Sequence, residues 1–374
     1  MPWLAPTIHA QKLAIALKSA PKDLAPWLRP ELFPPIAEPE EDDWPRGKGE
    51  PFEKYAASRP RMPNAEGSAS KRISRPVRNC IYLQPLGDAA TKDSFPCLDT
   101  LCDGVTAFYG MQCKVLPMIT LKQLEASGKK PIRKRHCGKQ VHAGDINANL
   151  VSRLPADGYT LCAVTMRDVW KGDFNFLFGL AFLTSGVGVF SFYRHQPNAP
   201  ECEYFHGSLE RQPGDEAVLL RRGFQTLTHE LGHTFGLKHC VYFSCLMQGA
   251  NSLEEAEGRM PDLCPVCLRK LLWVTRCESA AGARARYERL ARFFADRSGF
   301  EKHFAWAQGQ CRLGSPQAVD GLSVGGRTAT TAAELEDVVS ARALVIETQT
   351  GGAAQAEPEE RAGEAEGVCQ ACDE

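Results

Sequence analysis

The chain has 374 residues, of which 43% are hydrophobic and 24% charged, and its formal net charge is −1. These values are typical of a globular protein, and they exclude a whole-chain preference for nucleic acid or an anionic membrane. No apolar run approaches the roughly 20 residues of a membrane span. The 15 cysteines are an odd number in a long chain, which argues against a secreted disulfide scaffold and favours metal ligands for the clustered ones.

Residues 1–75 form a predicted proline-rich N-terminal extension. The first 24 residues have the apolar stripe of a short amphipathic helix, but Lys12 and Lys18 interrupt it and no basic start precedes it, so we do not expect a secretion signal. Residues 30–55 are predicted to be extended and irregular because prolines and charged residues dominate them.

Short apolar runs bounded by turn residues begin at Cys80 and predict strands. Residues 141–154 (VHAGDINANLVSRL) have the pattern of a helix between two of them. Strands that alternate with helices indicate an α/β sheet packed against helices. The basic loop 128–136 resembles a nuclear-import signal, although a solvated loop is the simpler interpretation. The predicted strands are CIYLQPL (80–86), QCKVLPMI (112–119), YTLCAVTM (159–166) and LTSGVGVFSFY (183–193), the last with a turn or bulge at its glycines.

Helical spacing of apolar residues begins at Val218 and continues to Phe235, after which Gly236 is a predicted helix end. Residues 283–297 (ARARYERLARFFADR) predict another amphipathic helix. From residue 315 the chain carries 12 acidic and 3 basic residues with few aromatics, so we expect a disordered acidic tail. Isolated cysteines in apolar runs, Cys80, Cys113 and Cys162, are predicted to be small buried core residues.

The motif HELGHTFGLKH (229–239) contains the residues of a predicted catalytic zinc site. His229 and His233 are four residues apart, so they lie on one face of a helix and can bind the same zinc ion. Gly236 permits a sharp turn that brings His239 back as a third ligand, and three protein ligands leave one tetrahedral position for water. Zinc lowers the pKa of that water, and Glu230 is the predicted general base that accepts its proton.

Two other features bear on this interpretation. HExxH alone is short enough to occur by chance in a core helix, whereas the extended HExxHxxGxxH at the end of an amphipathic helix is far more restrictive. Met247 lies eight residues beyond His239, where it resembles the methionine turn beneath the metal site of metzincin proteases. Tyr193 and Tyr242 could each reach an active site, but neither has a spacing argument.

Four cysteines predict a second zinc site. A CxxC knuckle, Cys264 and Cys267, follows the looser pair Cys240 and Cys245, and four thiolates would close the coordination shell of a structural zinc. A redox-active CxxC is a further alternative, but the knuckle lacks the strand-to-helix setting of a thioredoxin motif. The pair Cys369–Cys372 in the tail offers only two ligands and is interpreted as incidental or as a weak metal binder.

Residues 229–271, HELGHTFGLKHCVYFSCLMQGANSLEEAEGRMPDLCPVCLRKL, resemble the archaemetzincins of the metzincin clan, and among them the archaemetzincin-2-like members. Looser similarity extends upstream through IYLQPLG, VHAGDI, LCAVTMRDVW, FNFLFG and GVGVFSFYR, and downstream to about residue 300. The resemblance implies a metzincin-like zincin fold with a twisted mixed sheet, an active-site helix and a small lower subdomain that holds the zinc knuckle. It also implies a catalytic zinc on the three histidines and a second zinc on the four cysteines.

The domain prediction is an N-terminal extension (1–75), a metalloprotease domain (76–312) and the acidic tail (313–374). Within the metalloprotease domain, the upper subdomain runs to about residue 236 and the lower one covers 237–312. A peptide substrate is expected to add a strand at a sheet edge, for which the run from Phe174 to Tyr193 is the best candidate.

The predicted function is zinc-dependent hydrolysis of peptide bonds in a peptide or protein substrate, without a nucleic-acid or membrane partner. The main alternative is a zinc-stabilised binding module with a vestigial histidine site; Glu230 argues against it because a structural site has no use for a base. A nucleic-acid binder built on the cysteine knuckle is weaker still, since no basic recognition helix is present. We expect an intracellular location, in the cytoplasm or, if the basic loop acts as an import signal, in the nucleus.

Overall fold

The computed structural model describes residues 16–36, 49–63, 77–87, 95–136, 139–197 and 212–313. The first 15 residues, the acidic tail and the pair Cys369–Cys372 lie outside the described residues. None of the helices in these ranges has the length and apolar character needed to cross a membrane.

Strands and helices alternate along the described chain. The strands are Cys80–Leu86 (β1), Gln112–Val115 (β2), Lys134–Arg135 (β3), Gln140–His142 (β4), Gly158–Thr165 (β5), Asp168–Trp170 (β6), Gly179–Phe182 (β7) and Val187–Ser191 (β8). The α-helices are Phe52–Ala57 (α1), Leu98–Tyr109 (α2), Leu121–Ser127 (α3), Ala143–Leu150 (α4), Asp215–Thr234 (α5), Leu253–Glu257 (α6), Pro265–Val274 (α7), Ala280–Phe294 (α8) and Glu301–Leu313 (α9). Short 3-10 helices cover Lys22–Trp27, Pro30–Leu32, Val151–Arg153 and Tyr193–His195.

The main sheet has the strand order β2-β1-β5-β8-β7. Its first four strands are parallel, and β7 pairs antiparallel with β8 through the partners Gly179 and Phe190. A smaller sheet has the order β3-β4-β6. The predicted class, a mixed α/β sheet packed with helices, is therefore confirmed.

Side chains of the main sheet alternate between two apolar cores. On β5, Cys162 and Val164 face the core that includes α2 and α5, whereas Leu161 and Ala163 face the core that includes α3 and α4. This alternation follows from the period of two along a strand. Because both faces are covered, the central strands are buried along their whole length.

Helix α5 carries the HExxH motif and packs on β7 and β8. It begins at Asp215, three residues before the predicted start. Two acidic residues in its first turn interact favourably with the positive end of the helix dipole. Leu219, Phe224, Leu227 and Leu231 form its buried stripe. The helix ends at Thr234, as the glycine two residues later predicted.

Some predicted elements differ from the structure. Residues 30–55 are not wholly irregular, because they include a 3-10 helix and the start of α1, whose Phe52 and Tyr55 pack edge-on against Trp273. The predicted helix 141–154 begins only at Ala143, since the preceding residues pair as β4. Of the three predicted core cysteines, two are buried, but Cys113 on the edge strand β2 is only half-buried.

Candidate metal centre

Three histidines meet at the C-terminal end of α5. Ligand atoms of His229, His233 and His239 all lie within 4.8 Å of one another, and the Nε2 atoms of the first two are 3.1 Å apart. His229 and His233 are almost completely buried, and His239 is partly buried. The structure thus brings together the three residues that the motif spacing predicts.

Main-chain carbonyls hold two of these rings in a defined orientation. Nδ1 of His229 donates to the carbonyl oxygen of Leu246 at 2.7 Å, and Nδ1 of His233 donates to that of Leu237 at 2.6 Å. Since a carbonyl can only accept, both Nδ1 atoms carry the proton, and each Nε2 keeps the lone pair that a metal requires. Burial is the main cause that lowers the pKa of His233 to about 4, so this ring is neutral at neutral pH.

The third histidine, His239, follows a tight turn at the end of α5. Gly236 has a φ of +83°, a left-handed conformation that L-residues with a side chain rarely adopt, and its N–H donates to the carbonyl of His233 at 2.8 Å. The turn reverses the chain after α5 and returns His239 to the other two rings. Nε2 of His239 is buried and has no hydrogen-bond partner among the described residues. A third nitrogen without a partner, beside two Nε2 lone pairs, fits a zinc ion.

Glu230 is the carboxyl group nearest in sequence to this cluster, and it is 2% exposed. Its Oε1 has no hydrogen-bond partner in the described part of the chain. Burial raises the pKa of Glu230 to about 8, and the positive charge of Arg259 opposes this shift. A dication within a few ångströms would favour the ionised carboxylate further. A carboxylate held this way can accept a proton from a neighbouring water molecule.

Edge strand β7 lies directly against Glu230. A Cβ on Gly179 would come within 2.5 Å of the carboxyl carbon of Glu230, so only glycine fits here without a shift. Ser191 N donates to the Phe178 carbonyl at 2.9 Å, which fixes the hydrogen-bonding register of the hairpin. By alternation, Gly179 and Ala181 direct their N–H and C=O groups away from β8. In the described residues β7 is the last strand on this side of the sheet, inside the run predicted to contain the substrate edge.

Four cysteines form a second cluster, two of them in the segment that directly follows His239. Sulfur atoms of Cys240, Cys245, Cys264 and Cys267 lie within 4.8 Å of one another, and all four residues are buried. Although burial acts to raise the pKa of Cys240, hydrogen bonds from the other three thiols hold it well below its usual value. The pKa values of Cys264 and Cys267 are raised. One thiolate therefore suppresses ionisation of its neighbours, and a bound cation is what would allow all four to ionise.

The two clusters share a short hydrogen-bonded segment. Cys240 follows His239 directly, and its N–H donates to the carbonyl of Met247 at 2.7 Å. The preceding residue, Leu246, accepts from His229 and donates its own N–H to the carbonyl of Asp262 at 2.9 Å. Met247 is completely buried in this segment. The loop from 240 to 247 therefore takes part in both clusters, since Leu246 bonds to His229 and Cys240 and Cys245 belong to the cysteine cluster.

Sequence patterns gave no signal for Arg259, which lies in an irregular segment after α6. Its Nη1 is 3.3 Å from the carbonyl oxygen of Leu246 and 3.4 Å from Nδ1 of His229. Tyr242 lies close to the cysteine cluster. Burial and then the charges of Cys240 and Cys267 raise its pKa to about 12.

Comparison with known proteins gives consistent matches. Residues 140–272 match the sequence model of peptidase family M54. Archaemetzincin-2 of Pongo abelii is 34% identical over 250 residues, which are 61% of this chain and 67% of the relative. Archaemetzincin-2 of Rattus norvegicus is 32% identical over 297 residues, which are 72% of this chain and 77% of the relative. The crystal structure of archaemetzincin from Methanopyrus kandleri is 24% identical, covers 56% of this chain and 99% of its own, and has a TM-score of 0.39. The chain therefore belongs to the archaemetzincin family, peptidase family M54, and is a zinc metallopeptidase.

Proposed function

We propose that His229, His233 and His239 hold one zinc ion and that Glu230 is the general base for hydrolysis of a peptide bond. The observation that carries this proposal is the combination of three converging imidazoles with a buried carboxyl group that has an unpartnered oxygen. A purely structural site would be closed by a fourth ligand and would have no role for such a carboxyl group. This argument favours an enzyme over a binding module with a vestigial histidine site.

Zinc on three histidines supplies a Lewis acid that makes a water molecule acidic enough to act as a nucleophile near neutral pH. The chain's own contribution is orientation and proton transfer. The carbonyls of Leu246 and Leu237 fix the two helical imidazoles, and Glu230 accepts the proton of the attacking water before donating it to the leaving amine.

A peptide substrate would pair with the outward N–H and C=O groups of Gly179 and Ala181 on β7. This mode of binding adds a strand to an exposed sheet edge, so most of the affinity comes from main-chain hydrogen bonds. It would present the scissile bond to Glu230, because Gly179 lies against that side chain.

The four cysteines are proposed to hold a second, structural zinc ion. Their buried thiols complete a tetrahedral shell without a free position, so this ion would contribute to folding and not to chemistry. The proposed ligand sets correspond to about two zinc ions per chain. The division into upper and lower subdomains at about residue 236 is part of the same proposal.

Glu230→Gln tests the proposed base. The substitution keeps the shape of the side chain but removes its ability to accept a proton, so cleavage of a mixed peptide library should fall by about 10²- to 10⁴-fold. Zinc content should not change. The matched control is Glu288→Gln, which makes the same change at an exposed position on α8 and should leave cleavage unaltered. Undiminished cleavage by Glu230→Gln would mean that another group is the base.

A further inference from the structure

A small pocket with several polar side chains in its walls lies beside the histidine cluster and is not used by the chemistry above. Its walls come from α5, from the residues after β8 and from the segment around α6. The polar side chains that line it are His195, Arg222, Gln225, Thr226, Glu257 and Arg259. The enclosed space between them is about that of one water molecule, so it can take one oxygen of a carboxylate and excludes an aromatic ring.

Two of these side chains carry buried nitrogens without a hydrogen-bond partner in the described residues. His195 is completely buried and packs against the rings of Phe178 and Phe190, yet neither of its ring nitrogens has a partner. Nε of Arg222 is buried and likewise without a partner. Because leaving a buried donor unsatisfied is costly, the pocket is suited to a ligand that accepts hydrogen bonds.

The charge of the pocket favours an anion. Arg222 and Arg259 line it, and Glu257 is the opposing carboxylate. Glu257 already binds two guanidinium groups, Arg221 at 2.5 Å and Arg222 at 2.8 Å, so it neutralises only part of this positive charge. Burial raises the pKa of Glu257, but hydrogen bonds from Arg222 and Arg221 lower it more, so this group is ionised at neutral pH. Arg222 and Arg259 therefore face a carboxylate that Arg221 also shares, which leaves the pocket with an excess of positive charge.

The pocket lies between the histidine cluster and the beginning of the proposed substrate edge. At one end, Leu246 lines the pocket and accepts the hydrogen bond of His229. At the other end, His195 packs on Phe178, with ring centroids 4.9 Å apart, and Phe178 immediately precedes β7. A peptide antiparallel to β7 would therefore place the residues on the C-terminal side of its scissile bond near this pocket.

We infer that the pocket formed by His195, Arg222 and Arg259 binds a carboxylate of the substrate on the C-terminal side of the scissile bond. The inference rests on the proposed peptidase function and names a substrate class for it. The carboxylate can be the side chain of an aspartate or glutamate, or the C-terminal carboxylate of the peptide. The guanidinium group of an arginine donates hydrogen bonds to a side-chain carboxylate and to a C-terminal carboxylate in the same way.

Cleavage-site analysis of a degenerate peptide library separates these two sources. The wild-type protein is incubated with library peptides that end in a free carboxylate or in an amide, and the products are sequenced by mass spectrometry. A side-chain carboxylate predicts enrichment of Asp and Glu after the cleaved bond in both libraries. A terminal carboxylate predicts cleavage at a fixed distance from the free C-terminus and loss of cleavage in the amidated library. Cleavage with neither preference, or with a preference for Lys and Arg, would overturn the inference.

Arg222→Gln then tests the pocket itself. The ratio of cleavage rates for matched peptides, Glu against Gln or free acid against amide, should fall by about tenfold or more, because a charge-assisted hydrogen bond to the carboxylate is lost. Cleavage of the neutral peptide should be much less affected. Arg292→Gln removes the same charge from an exposed position on α8 and should keep the wild-type ratio. An unchanged ratio in Arg222→Gln would contradict the inference.

A binding measurement keeps the inference testable if no peptide is cleaved, an outcome that would count against the proposed function alone. N-acetyl-glutamate and its diamide, N-acetyl-glutaminamide, which has no carboxylate, are titrated into the wild-type protein and into Arg222→Gln, with binding followed by NMR. The acid should bind the wild-type protein more tightly than the amide, and Arg222→Gln should remove the difference. Equal binding of both compounds to the wild-type protein would overturn the inference without reference to catalysis.

Discussion

At the scale of single residues, main-chain carbonyls decide how the histidine rings are presented. The carbonyl of Leu237 accepts from His233 within the same turn that returns His239, and the carbonyl of Leu246 accepts from His229 across 17 residues of chain. Motif spacing predicted the three histidines, because helical periodicity places two of them on one face. It could not predict the two carbonyls, since every residue has one and only the folded chain selects which are used.

His303 provides a pH prediction at the same scale. The ring is 3% exposed and lies among Phe224, Phe294 and Phe300, and burial, followed by the charge of Arg221, lowers its pKa to about 3. In the unfolded chain a histidine has a pKa of about 6.5. Since the unfolded state binds the proton more readily, the contribution of His303 to stability is complete above about pH 6.5 and is lost as the pH falls towards 3.

The variant His303→Phe should remove this dependence. Between about pH 6 and pH 4, the free energy of unfolding of the wild-type protein should decrease more steeply than that of His303→Phe, by up to about 1.4 kcal/mol per pH unit. Urea denaturation of both proteins at a series of pH values measures the difference. Parallel pH profiles would mean that the ring can be protonated without unfolding.

At the scale of elements, the end of α5, the loop from 240 to 247 and the start of α7 behave as one connected unit. Cys264 and Cys267 lie at the N-terminal end of α7, and their sulfurs meet those of Cys240 and Cys245 from the loop. Cys240 is adjacent to His239, and its N–H is hydrogen-bonded to the carbonyl of Met247. We therefore expect the cysteine cluster to stabilise the backbone position of the third histidine.

Cys240→Ser should consequently damage both clusters. Zinc content should fall by more than one ion per chain, because the loss of this thiolate also loosens the backbone at His239. Cys245→Ser is the matched control, since it removes one thiolate from the same cluster at a position that is not adjacent to a histidine. Metal analysis of the folded proteins measures the difference. Equal zinc loss in the two variants would mean that the clusters are independent.

The elements also define the limits of prediction from sequence. The apolar stripe of α5 and the glycine after it predicted that helix closely, because local periodicity and one backbone conformation determine it. The predicted strand 183–193 with a turn at its glycines corresponds to the end of the hairpin β7–β8, whose turn contains Gly186. The position of β7 at the edge and against Glu230 depends on strand order, which local patterns do not encode.

At the scale of the whole molecule, the described N-terminal segments pack on the helices that follow the histidine cluster. Arg269 of α7 donates to the carbonyls of Lys18 and Ser19 and lies over the ring of Phe52, at 3.5 Å from its centroid. Trp27 donates to the carbonyl of Gln310 at 3.1 Å. Prolines and charges predicted an irregular extension. That prediction missed these contacts because they join residues more than 200 positions apart. The pocket of His195, Arg222 and Arg259 also escaped prediction, because its residues come from separate elements that only the folded chain brings together.

Metal analysis of the purified chain tests the central claim most directly. Zinc is counted by mass spectrometry in the wild-type protein and in the double variant His229→Ala/His233→Ala. The two clusters predict about two zinc ions per chain in the wild-type protein and about one in the double variant, with the remaining ion on the cysteines. A wild-type protein that holds only one zinc ion, and keeps it after both histidines are replaced, would contradict the claim that the histidines form a metal centre.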